Sequence, residues 1–232
     1  MTSKLPEKRS SAKDIQTFLG NVKSSPLVTT LAKGRLVFAM DATASREECW
    51  DMASQKHAEM FTQADKANGL SVQLCYYRGM DNFTALEWKR SADEVKDALL
   101  TVRCLAGQTQ IAKVLKHALK ETRKEKVNAV VFVGDCMEED PDTLGALAGE
   151  LGILNLPIFI FQEGSNAKAR SVFSQLATLS GGAYCQFDEG SAKQLGQLLA
   201  AVAVYAGGGK AALEKHLLSD DSGARLLLGQ LK

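Results

Sequence analysis

The chain has 232 residues, 45% of them hydrophobic and 24% charged, with 28 basic against 27 acidic side chains and a formal net charge of +1. This is the make-up of a globular protein with one substantial core, and it lacks the basic excess that nucleic acid or an anionic membrane surface would require. The five cysteines are odd in number and scattered, with no CxxC pair, which argues against zinc-ribbon and thioredoxin-type motifs and suits a reducing compartment.

Residues 1–10 are polar and lack the apolar stretch of a secretory signal, and no apolar run approaches the roughly 20 residues of a membrane span. A cytoplasmic location is therefore expected. Ser11 to Asp14 reads as a capping box, followed by Ile15, Phe18, Leu19 and Val22 at helical spacing, and Pro26 closes this short amphipathic helix.

Leu36 to Met40 is continuously apolar and predicts a buried strand. Ser45 to about Ala67 carries Cys49, Trp50, Ala53, His57, Met60, Phe61 and Ala64 on one face, which predicts a long amphipathic helix stopped by Asn68-Gly69. Ser71–Tyr77 and Phe83–Lys89 are rich in strand formers and are joined by a hairpin-like loop, Arg78 to Asn82. Ser91 caps a helix through about Leu100. Thr109 to Thr122 predicts another, with Ile111, Val114, Leu115, Ala118 and Leu119 inward.

Val127–Val133 and Pro157–Phe161 predict two more buried strands. Between them, Asp140-Pro141 opens a helix with proline where its missing N–H is harmless. Asn166–Ser180 is helical and closed by Gly181-Gly182. Ala183–Phe187 is a last strand, and Ser191–Tyr205 a last long helix. Gly207-Gly208-Gly209 looks like a hinge, followed by two short helical patterns, Ala211–Leu218 and Ala224–Leu231, with packing on the body as the simplest role.

Apolar strands alternating with amphipathic helices predict an α/β fold: a doubly wound, Rossmann-like, mainly parallel sheet with helices on both faces. The hairpin around Gly79 adds one antiparallel edge strand. The expected organisation is an N-terminal extension with its short helix (1–33), a main domain (34–206), and a glycine hinge with a helical tail (207–232).

In open parallel sheets, ligands bind beyond the carboxyl ends of the strands, where the strand order reverses. Asp41-Ala42-Thr43-Ala44-Ser45 leaves the first strand with an acid and two hydroxyls at alternate positions, Asp135 follows the Val127–Val133 strand, and Thr109 opens a helix. Separate loops can bring these five side chains together. All are oxygen donors, suited to a hard divalent cation, Mg²⁺ first, with Mn²⁺ and Ca²⁺ also accommodated. With only two acids the ion keeps residual positive charge and a coordination position for an incoming carboxylate. Such a site favours capture over catalysis.

This pattern resembles the metal-ion-dependent adhesion site (MIDAS) of von Willebrand factor type A (VWA) domains: Asp-x-Ser-x-Ser, a lone threonine and a later aspartate on a Rossmann-like sheet. The likeness covers about residues 34–206. It implies Thr43 and Ser45 as direct ligands, Thr109 as a state-dependent one, and Asp41 and Asp135 as inner- or outer-shell acids. The chain departs from the pattern at Thr43, which replaces serine but keeps the hydroxyl. It departs again around Asp135, where Gly134 and Cys136 stand for threonine and glycine.

The remaining residues read more plainly. His57 is expected as a core histidine, His117 near the surface, and His216 in the tail. Trp50 and Trp88 are expected to pack, and Glu138-Glu139-Asp140 to form a solvated helix start that could shape the rim of the site. Gly207 to Lys210 lacks the spacing of a P-loop, and no GxGxxG follows a strand.

The expected function is a metal-dependent protein–protein interaction module, an adaptor that binds an Asp or Glu of a partner through the cation. The resemblance implies a setting beside an ATPase or within a multi-protein complex, as for intracellular bacterial-type members. Two alternatives stand beside it. One is a Mg²⁺-dependent phosphoryl-transfer or phosphatase-like enzyme, for which position 43 would ordinarily be an acid. The other is a metal-free scaffold with a vestigial site.

Overall fold

The computed structural model describes residues 34–46, 70–187, 192–216 and 227–231, all within the unit Ala32–Lys232. Strand β1 (Arg35–Asp41) is buried along its whole length, as its unbroken apolar run requires of a strand covered on both faces. It pairs in parallel with β2 (Ser71–Arg78) on one side and β4 (Ala129–Gly134) on the other. The sheet is completed by β3 (Asn82–Ala85), β5 (Ile158–Glu163) and β6 (Ala183–Phe187), in the order β3-β2-β1-β4-β5-β6, with only β3 antiparallel. The strand order reverses at β1, with β2 and β3 laid to one side and β4, β5 and β6 to the other, which makes the carboxyl ends of β1 and β4 the switch point.

Alternate residues of β1 feed two separate cores. Leu36, Phe38 and Met40 pack with α1 (Ala92–Thr101) and α5 (Ala192–His216). Val37 and Ala39 pack with α2 (Ile111–Lys124), α3 (Pro141–Ile153) and α4 (Ala167–Ser180). Helices therefore cover both faces, and the doubly wound architecture follows from the period-two alternation of the strands.

Local signals set most helix ends. Ser91 and Glu94 form a reciprocal capping box at α1. Asp140 caps α3 with Pro141 next to it, and Asn166 caps α4, which Gly181 ends in the left-handed region at φ 76°.

Several boundaries differ from expectation. Strand β3 stops at Ala85, although Lys89 rejoins Val72 through an isolated bridge. Helix α2 begins at Ile111, two residues after Thr109, because Thr109 is engaged elsewhere. Helix α5 runs through Gly207 and Gly208, and only Gly209 leaves helical geometry, at φ 67°. Beyond that kink Leu213 is buried in the same core as Ala206, together with Leu227 and Leu231. Gln230 then accepts the N–H of Tyr184 at 2.9 Å, which occupies part of the exposed edge of β6.

The expected helix at residues 15–22, most of the helix after Ser45 with Trp50 and His57, and residues 217–226 lie outside the described residues. Trp88 packs as expected, stacked under the Arg35 guanidinium at 3.9 Å and donating to Glu121. His117 is half-buried, bonded to Gln73 at 2.8 Å and set against Phe83. Among the described residues, no helix is long and apolar enough to cross a membrane.

Candidate metal centre

Asp41 is the last residue of β1 and is fully buried. Its Oδ1 accepts the Thr43 N–H at 2.8 Å, which bends the chain out of the strand into the 3-10 turn Ala44–Arg46. That bend places Thr43 Oγ1 3.1 Å from Ser45 Oγ. The alternate-position motif thus becomes a hydroxyl pair hinged on the carboxylate. Thr43 is buried, whereas Ser45 is exposed.

The other oxygen of Asp41 is held from β2. Asp41 and Tyr77 are direct partners in the β1–β2 register, so their side chains project to the same face, and the Tyr77 hydroxyl donates to Asp41 Oδ2 at 2.9 Å. Burial first, and then the Asp41 charge, push the phenol well above its ordinary range, so it stays protonated and remains a donor.

Asp135 lies just past β4, beside Asp41 across the switch point. Carboxylate oxygens of the two acids and the Sγ of Cys136 all lie within 4.8 Å of one another. Asp135 Oδ1 is buried and has no hydrogen-bond partner among the described residues. A buried, unpartnered carboxylate oxygen close to a second carboxylate is costly unless a positive charge compensates it. The donors present therefore fit a divalent cation. Burial first, then the Asp135 and Asp41 charges and a hydrogen bond to the Asp135 carboxylate, push the Cys136 thiol up to about 12.

Gly134 completes the space. A Cβ there would stand 2.9 Å from Phe132 Cζ and 3.5 Å from Asp41 Cβ. The Phe132 ring in turn stacks on Tyr77, with centroids 6.3 Å apart. The departure from threonine at position 134 thus makes room for the aromatic packing that supports Asp41.

Thr109 joins from the third loop, in an unexpected role. Its Oγ1 accepts the Glu138 N–H at 3.0 Å, while its own N–H donates to Glu138 Oε2 at 3.1 Å. Glu139 reaches further and accepts from Ile111 N at 2.6 Å and Ala112 N at 2.8 Å. It caps α2 from another loop, where the side chain of the N-cap residue Gln110 makes no capping bond and donates instead to the carbonyls of Arg78 and Gly79. Glu138 and Glu139 are therefore braces between the Thr109 loop and the Asp135 loop, in addition to leading into the exposed helix start at Asp140.

The remaining loops are tied down by backbone. Ala42 donates to Tyr77 O and accepts from Leu105 N, and Gln108 N donates to Gly79 O. Gly107 permits that last contact, since a Cβ there would lie 2.0 Å from Gly79 O. Asp41, Thr43 and Ser45 are thus joined by direct bonds, Asp135 stands beside Asp41, and Thr109 is fixed to the loop that carries Asp135.

Sequence reasoning missed Tyr77 and the Cys136 thiol as members of this centre, and placed Glu138 and Glu139 at its rim without their bonds to the Thr109 loop. Position beside the expected ligand Asp135 is the signal that Cys136, Glu138 and Glu139 share.

No protein-family profile matches the chain, and no curated protein resembles it in sequence. Solved structures do resemble it in fold. A von Willebrand factor type A protein from Catenulispora acidiphila superposes with a TM-score of 0.61 at 14% identity, over 76% of this chain and 43% of that one. The SpRpn10 VWA domain gives 0.55 at 13% identity, over 67% and 88%. Proximal thread matrix protein 1 of the mussel byssus, with a zinc-occupied MIDAS motif, gives 0.53 at 19% identity, over 73% and 44%. This chain spans less than half of the first and third of these proteins. At such identities the likeness establishes the fold.

Proposed function

We infer that this chain, which has the von Willebrand factor type A fold, is a metal-dependent protein-interaction module. The observation that carries this reading is the buried Asp135 Oδ1, unpartnered among the described residues, in a cluster that sets an Asp135 carboxylate oxygen within 4.8 Å of one from Asp41. A divalent cation supplies the missing charge. Asp41, Thr43, Ser45, Thr109 and Asp135 are its donors, directly or through water, and the oxygen set alone suits Mg²⁺, Mn²⁺ or Ca²⁺.

The cation then offers its remaining position to an Asp or Glu of a partner protein. The rim supports a protein ligand. Leu105, 53% exposed, is bonded through its N–H to Ala42 O in the metal loop. Met80, 68% exposed, follows Gly79, whose N–H bonds Leu105 O. Apolar side chains beside a cation suit an acidic residue flanked by hydrophobic ones. The setting we propose is an adaptor within a multi-protein complex, with an ATPase as one candidate neighbour.

The test is Mn²⁺ and Mg²⁺ titration of the wild type and Asp41→Ala, followed by partner capture with Mg²⁺ and with EDTA. The reading expects saturable metal binding and metal-dependent capture, both lost in a folded Asp41→Ala. Capture that survives EDTA would overturn it. Robust Mg²⁺-dependent turnover of a phosphate ester, lost in Asp41→Asn, would replace it with an enzyme.

A further inference from the structure

The donor cluster at the switch point contains one atom that an all-oxygen site does not. Cys136 Sγ lies within 4.8 Å of carboxylate oxygens from both Asp41 and Asp135. Ligands bound at about 2.0–2.3 Å in a tetrahedral zinc site stand roughly 3.3–3.8 Å apart, so three donors already within 4.8 Å of one another need to close by at most about 1.5 Å to share one ion. Asp41 is anchored by Tyr77 and Thr43, which leaves little freedom on one side of the cluster. Cys136 is half-buried and sits one residue past Asp135, so the closing movement falls to its own side chain and that of Asp135.

We propose that Cys136 is a metal ligand, and that the site consequently selects a thiophilic divalent cation such as Zn²⁺ over Mg²⁺. This rests on the metal-site reading above. Thiolate is a soft donor that favours zinc, whereas magnesium takes oxygen almost exclusively. On binding, the S–H bond gives way to a sulfur–metal bond and the proton leaves to the buffer; no oxidation is involved. The thiolate also offsets more of the ion's charge than a neutral donor would. An incoming partner carboxylate is therefore held by a weaker field in the zinc form than in a form loaded through oxygen alone.

Co²⁺ serves as an optical stand-in for Zn²⁺ in the full chain, alongside Mg²⁺ and Mn²⁺ titrations. The wild type is expected to develop a near-ultraviolet thiolate-to-cobalt charge-transfer band that Zn²⁺ abolishes by competition. Cys136→Ser is expected to lose the band while still binding Mn²⁺ through the oxygen donors. Its preference for Zn²⁺ over Mg²⁺ should fall by at least about tenfold, the lower bound for losing even an outer partner of a metal ligand. A second measurement needs no variant: Zn²⁺, but not Mg²⁺, should protect Cys136 from alkylation in peptide mapping.

Co²⁺ binding without the band, a band that persists in Cys136→Ser, or equal alkylation with and without Zn²⁺ overturns the role of Cys136 and leaves an oxygen-only metal site standing. Failure of every cation to bind the wild type overturns both readings.

Discussion

The Tyr77 hydroxyl donates to Asp41 Oδ2 at 2.9 Å between two directly paired residues of β1 and β2, both buried. The bond fixes the rotamer of the acid from which the Thr43–Ser45 loop hangs. Tyr77→Phe keeps the ring and removes only the donor. Unfolding free energy is expected to fall by about 1–3 kcal/mol, the cost of leaving a buried acceptor short of its partner. Metal affinity should fall roughly 10–100-fold, as for other outer partners of metal ligands. Urea unfolding and Mn²⁺ titration of the same variant measure the two effects separately.

Gly134 is a tight point behind the site. Gly134→Ala would press a methyl group to 2.9 Å from Phe132 Cζ, and the Phe132 ring lies against Tyr77 and Phe173. Overpacking of this kind costs about 1–3 kcal/mol. A lowered melting temperature together with weakened metal binding is the expected outcome; an unchanged pair of values would show that the ring yields freely.

Glu139 caps α2 across the gap between loops. Glu139→Ala leaves the N–H groups of Ile111 and Ala112 without this acceptor and should cost about 0.5–2 kcal/mol, the usual value of a lost N-cap. Glu139→Gln keeps one acceptor oxygen and should lose less. Denaturant titration of both variants checks the order. The effect should extend to amide exchange at Thr109, because the same loop carries its bond to Glu138.

The pH dependence has a defined sign at Asp140. Its carboxylate accepts the hydroxyl and then the backbone N–H of Thr143, which hold it below the ordinary aspartate value. The unfolded chain therefore binds the proton more readily than the folded one. The contribution is present above the ordinary aspartate range and is lost as pH falls through the lowered folded value. Thermal melts across acidic pH should show a shallower acid loss for Asp140→Asn than for the wild type.

How far these features were legible varies by residue. The strand at Leu36 to Met40, the caps Ser91, Asp140 and Asn166, and the stop at Gly181 are local signals, and the structure places each within a residue or two of expectation. Thr109 was legible as a site residue but not as the partner of Glu138, because that bond links positions 29 residues apart. Glu138-Glu139 carries the same local pattern as any exposed acidic helix start. Nothing in it shows that a second helix ends nearby with its N–H groups unmet.

By itself, the sequence determined the period of each element, the alternation that forces a doubly wound sheet, and the acid and two hydroxyls that leave the first strand. Those depend on neighbours within a few residues. Tertiary structure decided which residues meet at the switch point. Strand register set Tyr77 against Asp41, the β1–β4 pairing brought Asp135 and the Cys136 thiol beside that acid, and the packing of Phe132 required Gly134 to lack a side chain. Register and loop docking are settled by the burial of whole faces, and no short stretch of sequence records them.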